Sequence, residues 1–186
     1  MSETTKISCA CGSTCLRLKG TPILVSECLC NSCRTAADRL ASLPGAKDIL
    51  TSYGATPTAE YRKDHVRILS GAEHLREFRL SVGAGTRRVV ATCCNTPIYL
   101  EMKGGHWLSI YLHLWPKESR PKPRMRTMVG DLFDASSLPK DIPNLKSHTV
   151  SFYAKLLWAW IAMGFRNPRM EVAGKIDLTK NRERRQ

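Results

Sequence analysis

The sequence predicts a mainly β fold of short antiparallel strands built around zinc, with one α-helix near the C-terminus. Short segments of alternating or β-branched residues recur between turn residues up to about residue 115. The residues Lys103-Gly104-Gly105-His106 separate two of these segments in the manner of a β-hairpin. From about Val150 to Met163 the apolar residues recur at helical spacing instead, and Gly164 follows them.

The predicted zinc-binding β domain spans residues 1–115, and each of its elements has a local reason. An extended segment from Lys6 to Leu18 bends at Gly12. Thr35 to Leu43 forms a helical turn, which Pro44-Gly45 ends. The other predicted strands are Thr21–Glu27, Ile49–Tyr53, His65–Leu69, Leu75–Ser81, Arg87–Thr92, Ile98–Met102 and Trp107–His113.

Three further segments follow the β domain. Residues 116–147 are rich in proline and basic residues, which predicts an irregular segment. Residues 148–164 contain the helix, with Ser147 or Thr149 as its cap, and we expect its apolar face to pack on the β domain. Residues 165–186 form a basic tail.

Composition limits the kind of protein and the kind of partner. The chain has 186 residues, eight cysteines and a formal net charge of +13. Its N-terminus lacks the pattern of a secretory signal, and no stretch reaches the ~18 apolar residues of a membrane span. We therefore expect a soluble, cytoplasmic protein, in which clustered cysteines bind metal or act as redox thiols. The positive charge favours an anionic partner: nucleic acid, an acidic surface or an anionic small molecule.

The strongest motif is Cys28-Leu29-Cys30-Asn31-Ser32-Cys33. Thiolates lie ~2.3 Å from a tetrahedral zinc ion, so sulfurs less than ~4 Å apart can share one ion. The Cys-x-x-Cys half supplies a tight turn, and the Cys-x-Cys half places Cys28 and Cys30 on one side of an extended chain. Three protein ligands leave a fourth position open, as in reactive zinc sites. We therefore predict that Cys28, Cys30 and Cys33 bind metal and form the catalytic centre.

A second group of cysteines is divided between distant segments. Cys9 and Cys11 supply only two thiols, so their partners come from elsewhere, and Cys93 and Cys94 are the obvious source. Successive side chains in a strand point in opposite directions, so Cys94 is the preferred ligand. Cys93 is a lesser candidate, with a buried small side chain as its alternative interpretation, and Cys15 is interpreted as a core thiol.

The five histidines form no metal-binding motif, because no two of them are spaced in the sequence as metal ligands usually are. His106, which follows two glycines, is the histidine most worth locating in a structure. No general acid or base is evident from the sequence, and Asp38 and His65 are the only candidates.

Together, the cysteine motifs resemble the glutathione-dependent formaldehyde-activating enzyme family, which includes centromere protein V. The resemblance covers roughly residues 6–113 and rests on Cys9-x-Cys11-Gly12, Cys28-x-Cys30-x-x-Cys33-Arg34 and Cys94-Asn95-Thr96-Pro97. It implies an Mss4-like, tent-shaped β fold with a structural zinc held by the first and last motifs. It also implies a second zinc near a glutathione site, held by the middle motif. The reaction of that family forms S-hydroxymethylglutathione from glutathione and formaldehyde, formally a carbon–sulfur lyase in reverse.

The chain departs from the pattern of that family at the structural site. The family usually ends with Cys-x-x-Cys-Gly-Thr, whereas here Ala91 occupies the first position and Asn95 replaces the glycine. Either Cys93 supplies the missing ligand, or the site is three-coordinate or empty. The Cys-Cys-Asn-Thr-Pro string is similar to a bacterial branch of the superfamily that has no assigned activity.

Two functional hypotheses follow for a protein that binds one or two Zn²⁺ ions. The first is a thiol-dependent carbon–sulfur lyase that acts on aldehyde adducts, with glutathione as substrate and Arg34 or Arg39 attracting that anion. The second is a non-catalytic zinc-stabilised module, in which the basic loop Trp115–Arg126 and the tail bind nucleic acid or an acidic protein.

Overall fold

The described part of the chain, residues 4–178, contains eleven strands and two α-helices, and the structure is a computed structural model. The strands are β1 (Thr4–Ser8), β2 (Cys15–Lys19), β3 (Leu24–Cys28), β4 (Thr56–Arg62), β5 (Val66–Ser70), β6 (Leu75–Phe78), β7 (Thr86–Ala91), β8 (Thr96–Met102), β9 (Trp107–Tyr111), β10 (Arg126–Thr127) and β11 (Gly174–Lys175). The helices are α1 (Asn31–Ala41) and α2 (Val150–Ala162). The predicted fold class, mainly β with a C-terminal helix, is confirmed.

The strands form two sheets. The smaller sheet is antiparallel and has the order β1-β2-β5. The larger sheet has the order β10-β3-β4-β9-β8-β7-β6-β11. Its six inner strands pair in antiparallel fashion, and the two-residue strands β10 and β11 join its edges in parallel. The predicted hairpin at Gly104-Gly105 connects β8 to β9.

The two faces of the larger sheet are covered by different elements. One face packs against the smaller sheet, where Leu16 and Leu18 meet Ala59 and Ile110 in the main hydrophobic core. On the other face, Ala36, Ala37 and Leu40 of α1 pack on Phe78, Val90 and Tyr111. Phe152 and Leu156 of α2 pack near Leu24 on the same face. Because strand residues alternate between faces, the polar residues of β4 and β9 that neighbour the core residues point toward the helices.

The inner strand β4 was not predicted, and the predicted strand Ile49–Tyr53 was wrong because that segment is irregular. β4 lies between β3 and β9 although it contains Pro57 and a glutamate. Proline and glutamate are both rare inside strands, so the local pattern gives no strand signal there. The predicted helical turn at Thr35 is also longer than expected, because α1 begins at Asn31.

The C-terminal helix follows its prediction closely. Thr149 is the cap, since its hydroxyl accepts a hydrogen bond from the N–H of Phe152 at 3.2 Å. α2 ends before Gly164, whose φ is +61°. No helix within residues 4–178 is long and apolar enough to cross a membrane.

The irregular segment and the tail contribute more to the sheet than the sequence predicts. Within residues 116–147, β10 pairs with β3, and Arg126 is buried in an ion pair with Glu27 at 2.8 Å. The basic loop is therefore not wholly solvated. Within the predicted tail 165–186, β11 pairs with β6, and Leu178 is buried. The remainder of that tail, residues 179–186, lies outside the described residues.

Candidate metal centres and the adjoining cavity

The four cysteines considered for the structural centre come together in space. The sulfur atoms of Cys9, Cys11, Cys93 and Cys94 all lie within 4.8 Å of one another. Cys93 Sγ is 3.7 Å from Cys9 Sγ, 3.5 Å from Cys11 Sγ and 3.9 Å from Cys94 Sγ. Sulfurs around a tetrahedral zinc ion lie ~3.8 Å apart when the Zn–S bonds are ~2.3 Å. The group therefore has the donor set and the spacing of a closed four-thiolate site, and it could hold a metal ion.

Cys93 and Cys94 both reach this centre because they do not lie in a strand. β7 ends at Ala91, residues 92–95 form a turn, and Asn95 adopts the left-handed conformation with φ +54°. The alternation of strand side chains, from which Cys94 was preferred over Cys93, does not apply in a turn. Cys93 thus supplies the fourth sulfur that the buried Ala91 lacks.

Hydrogen bonds at the four-cysteine centre favour a thiolate. Cys11 Sγ lies 3.3 Å from Ser13 Oγ, and hydrogen bonds from Ser13 lower the pKa of Cys11 to about 6. The N–H of Thr14 donates to Cys9 Sγ at 3.3 Å. Desolvation and the neighbouring thiols raise the pKa of Cys93 to about 12. Without a cation, repulsion between neighbouring thiolates opposes the ionisation of all four thiols. A bound dication would stabilise all four as thiolates.

The second centre is the cysteine triplet at the junction of β3 and α1. The sulfurs of Cys28, Cys30 and Cys33 lie within 4.8 Å of one another and could hold a metal ion. Cys28 ends β3, and Cys30 caps α1, where its Sγ accepts a hydrogen bond from the N–H of Cys33 at 3.3 Å. Leu29, between the first two cysteines, is fully buried, and its N–H donates to the carbonyl of Thr127 at 3.0 Å. This anchor turns the flanking thiols toward Cys33.

The charge at the triplet is concentrated on Cys30. Hydrogen bonds from the thiols of Cys28 and Cys33 lower the pKa of Cys30, and the N–H of Cys33 and the charge of Arg88 act in the same direction. The same thiol–thiol contacts raise the pKa of Cys28 and of Cys33. The N-terminus of a helix also stabilises a thiolate electrostatically. The position of Cys30 as a helix cap therefore suits it to bind a cation.

A cavity of about 290 Å³ opens beside the triplet, between the large sheet and α2. All three cysteines line it. Its apolar lining includes Leu100, Met102, Trp107, Phe152 and Leu156. Its polar lining includes Thr58, Glu60, Arg88, Ser109 and His148. The four-cysteine centre does not border this cavity. The triplet faces a concave, mostly apolar space of the kind that holds small molecules.

Two buried charged residues, Glu60 and Arg88, line opposite parts of the cavity floor. Glu60 pairs with Ser109, Ser109 with Leu100, and Leu100 with Arg88, so these residues form one row across four strands. The backbones of Glu60 and Arg88 are therefore separated by three strand spacings, ~14 Å. The side chain of Arg88 donates from Nη2 to Ser32 Oγ at 2.9 Å, at the start of α1. Its Nε and Nη1 have no hydrogen-bond partner within residues 4–178.

A comparison with known protein families assigns the chain to a family. A model for a family of unknown function, DUF6151, matches residues 1–115. The chain belongs to this family. The DUF6151 match contains both cysteine centres, Glu60 and Arg88, and it ends before α2. No curated protein matches this member of the DUF6151 family.

A crystal structure of a protein from Rhodobacter sphaeroides is similar to the DUF6151 chain at a TM-score of 0.45 and 16% identity. The similarity covers 75% of this chain and 99% of that one. The family that matches is not the formaldehyde-activating family, so that resemblance stays a hypothesis.

Several residues singled out in the sequence lie away from the cavity. The guanidinium of Arg34 donates to Asn31 Oδ1 at 2.6 Å, and Arg34 and Asp38 line a shallow hollow on the other side of α1. His65 lies near Gly20, beside the smaller sheet. His106 Nε2 donates to the carbonyl of Leu156 at 2.8 Å, which links the turn before β9 to α2. Cys15 is half-buried and belongs to neither cysteine group.

No sequence motif pointed to the residues other than the cysteines that line the cavity. Glu60 is an isolated acid in a strand that was not predicted. Arg88 is one of two adjacent arginines, and only the register of β7 distinguishes the buried one from Arg87. His148 lies at the start of α2, where its ring packs 4.3 Å from that of Phe152, and burial lowers its pKa.

Proposed function

We propose that the protein is a zinc enzyme that makes or breaks the carbon–sulfur bond of thiol–aldehyde adducts at the cysteine triplet. One observation carries the proposal: three thiols, those of Cys28, Cys30 and Cys33, face a cavity, whereas the other centre brings four thiols together and does not border that cavity. Three thiolates leave one coordination position for an outside ligand, and four leave none. Zinc in such a site lowers the pKa of a thiol or water bound to it.

The donor sets support two zinc ions per chain with different tasks. The four-cysteine centre joins the β1–β2 turn to the β7–β8 turn and would act as a structural site. The triplet would hold the reactive ion, with Cys28, Cys30 and Cys33 as its protein ligands. Tetrahedral thiolate sites are typical of zinc, and they also suit iron, so metal analysis must identify the ion.

We further propose an anionic thiol, such as glutathione, as the substrate class. Arg88 supports this proposal, because a buried guanidinium with two unpartnered nitrogens favours an anionic group nearby. Arg88 therefore takes the role expected for Arg34, which does not line the cavity. The apolar residues beside it would contact the carbon skeleton of the ligand.

The test combines metal analysis with a thiol titration of the full chain. We expect two zinc ions per chain, and one ion after Cys30→Ala. In protein loaded with cobalt, glutathione should change the visible absorption of the wild type and not that of C30A. Cys15→Ala is the matched control, because it removes a thiol outside both centres. A single tightly held metal together with no spectral response to glutathione would refute the proposal.

Activity is measured separately, as the rate of exchange between formaldehyde, glutathione and their adduct by NMR. The wild type and C15A should accelerate this exchange, and C30A should not. The alternative, a non-catalytic module for nucleic acid or an acidic protein, has less support, because Arg126 of the basic loop is buried and paired with Glu27. Salt-sensitive retention on a nucleic acid column, without any exchange activity, would favour that alternative.

A further inference from the structure

Glu60 is a buried carboxyl group without a cationic partner. Its side chain is 4% exposed and lines the cavity that the cysteine triplet faces. Thr58 Oγ1 donates to its Oε1 at 2.9 Å, and the hydroxyl of Ser109 donates to its Oε2. Within residues 4–178, no lysine, arginine or histidine forms an ion pair with it. By contrast, the buried carboxylates of Glu27 and Glu77 and the half-buried carboxylate of Glu101 all have such partners.

Burial of an unpaired carboxyl is unfavourable for folding. The cost is on the order of several kcal/mol if the group stays ionised, and it is reduced if the group binds a proton. Desolvation accordingly raises the pKa of Glu60 to about 7, against the smaller opposing effect of the two hydroxyls. Glu60 can therefore gain and lose a proton near neutral pH, which a group that transfers protons must do.

The other titratable groups around the cavity are poorly suited to this task. The three cysteines are candidate metal ligands, and the guanidinium of Arg88 donates hydrogen bonds but has no acceptor atom. Tyr153 of α2 and His148, two residues before this helix, also border the cavity. Burial lowers the pKa of His148, which makes its ring a weaker base than a solvent-exposed histidine. Glu60 is the one carboxyl group among the residues that line the cavity.

We propose that Glu60 is the proton-transfer residue of the cavity: it accepts the proton of a thiol or hydroxyl group of the ligand and later returns it. This proposal rests on the proposed function. In adduct cleavage, the Glu60 carboxylate takes the hydroxyl proton of a thiohemiacetal. The O–H electron pair then forms the C=O bond, and the C–S pair leaves with sulfur as a thiolate. In the reverse direction, Glu60 gives its proton to the oxygen of the aldehyde, and no oxidant or reductant is needed in either direction.

The test counts protons rather than turnover. Zinc-loaded full-length protein is titrated with 2-mercaptoethanol at pH 7.5 by calorimetry, in two buffers of different ionisation enthalpy. Binding of a thiol as thiolate releases about one proton per site. We expect Glu60→Gln to release about one proton to the buffer, and the wild type to release half of that or less. Glu60→Asp, which keeps a carboxyl group, should restore part of the difference.

Glu77→Gln is the matched control, because Glu77 is a buried carboxylate outside the cavity. We expect it to behave as the wild type. Equal proton release by the wild type and E60Q, with thiol binding intact in both, would refute the role of Glu60 and leave the proposed function standing. No thiol binding by the wild type would overturn both. The melting temperature of E60Q checks its folding, and the neutral isostere should fold at least as stably as the wild type.

Discussion

Removal of Cys93 and Cys94, which lie far along the chain from Cys9 and Cys11, tests the structural role of the four-cysteine centre. In the double variant Cys93→Ala/Cys94→Ala, only Cys9 and Cys11 remain, and two thiols do not hold a structural zinc ion. Cys11 and Cys93 are 82 residues apart in the chain, so a shared metal ion closes a long loop. The chain-entropy relation for a cross-link of that span gives ~4.5 kcal/mol.

That loss is large compared with the ~5–15 kcal/mol by which a domain is stable. For a chain of this size, ~1 kcal/mol corresponds to a fall of ~2–4 °C in melting temperature. We therefore expect the double variant to melt ~9–18 °C below the wild type and to contain one zinc ion instead of two. Thermal unfolding by circular dichroism and metal analysis of the same samples measure the two effects together.

Cys15→Ala is again the control, because it removes a half-buried thiol that belongs to neither centre. We expect it to keep both ions and to melt close to the wild type. The structural argument fails if the double variant keeps two ions per chain, or if its melting temperature falls no further than that of C15A.

Four other outcomes can be checked with single variants. Cys30→Ala should lose one zinc ion but only ~2 kcal/mol of stability, because the triplet closes a loop of a few residues, as metal analysis and urea unfolding will show. Burial raises the pKa of Glu60 from 4.5 to about 7, so the folded state favours its protonated form. The stabilisation that comes from the protonated carboxyl group is complete below pH 4.5 and is lost as the pH rises through 7. Urea unfolding of Glu60→Gln and wild type at each pH should therefore diverge by on the order of 3 kcal/mol over this range, and parallel curves would contradict it. Gly71→Ala should cost about 2 kcal/mol or more in thermal melts, because φ is +73° and a Cβ would lie 2.5 Å from the carbonyl of Ser13. Phe152→Ala should lower stability by ~3 kcal/mol and weaken thiol binding without changing the zinc content, measured by the same calorimetry and metal analysis.

The cysteine centres could be predicted from the sequence because their information is local. Three thiols in six residues converge whatever the rest of the fold does, and the Cys9–Cys11 pair demands partners from elsewhere. The role of Cys93 was harder, since it depends on a turn stabilised by the left-handed Asn95. The helix cap at Cys30 was also unpredictable, because cysteine is not among the preferred capping residues.

The cavity could not be predicted, because it depends on the register of distant strands. Glu60 and Arg88 meet the same space only through the pairings of β4 with β9, β9 with β8, and β8 with β7. β4 itself contradicts local strand preferences with Pro57 and Glu60. Arg34 follows Cys33 directly in the sequence but lines a hollow on the other side of α1, because successive residues of a helix point in different directions.

The boundary of the family match divides the cavity into two parts with different tasks. The cysteines, Glu60 and Arg88 lie within residues 1–115, on the sheet and at the start of α1. Phe152, Tyr153 and Leu156 of α2 and His148, which precedes this helix, lie beyond that boundary and cover the cavity. Groups that bind metal or move protons must be held rigidly, and a sheet provides that rigidity. A covering helix can change its side chains without disturbing the metal ligands, so under the proposed function α2 would select the ligand while the sheet and the start of α1 would hold the reacting groups.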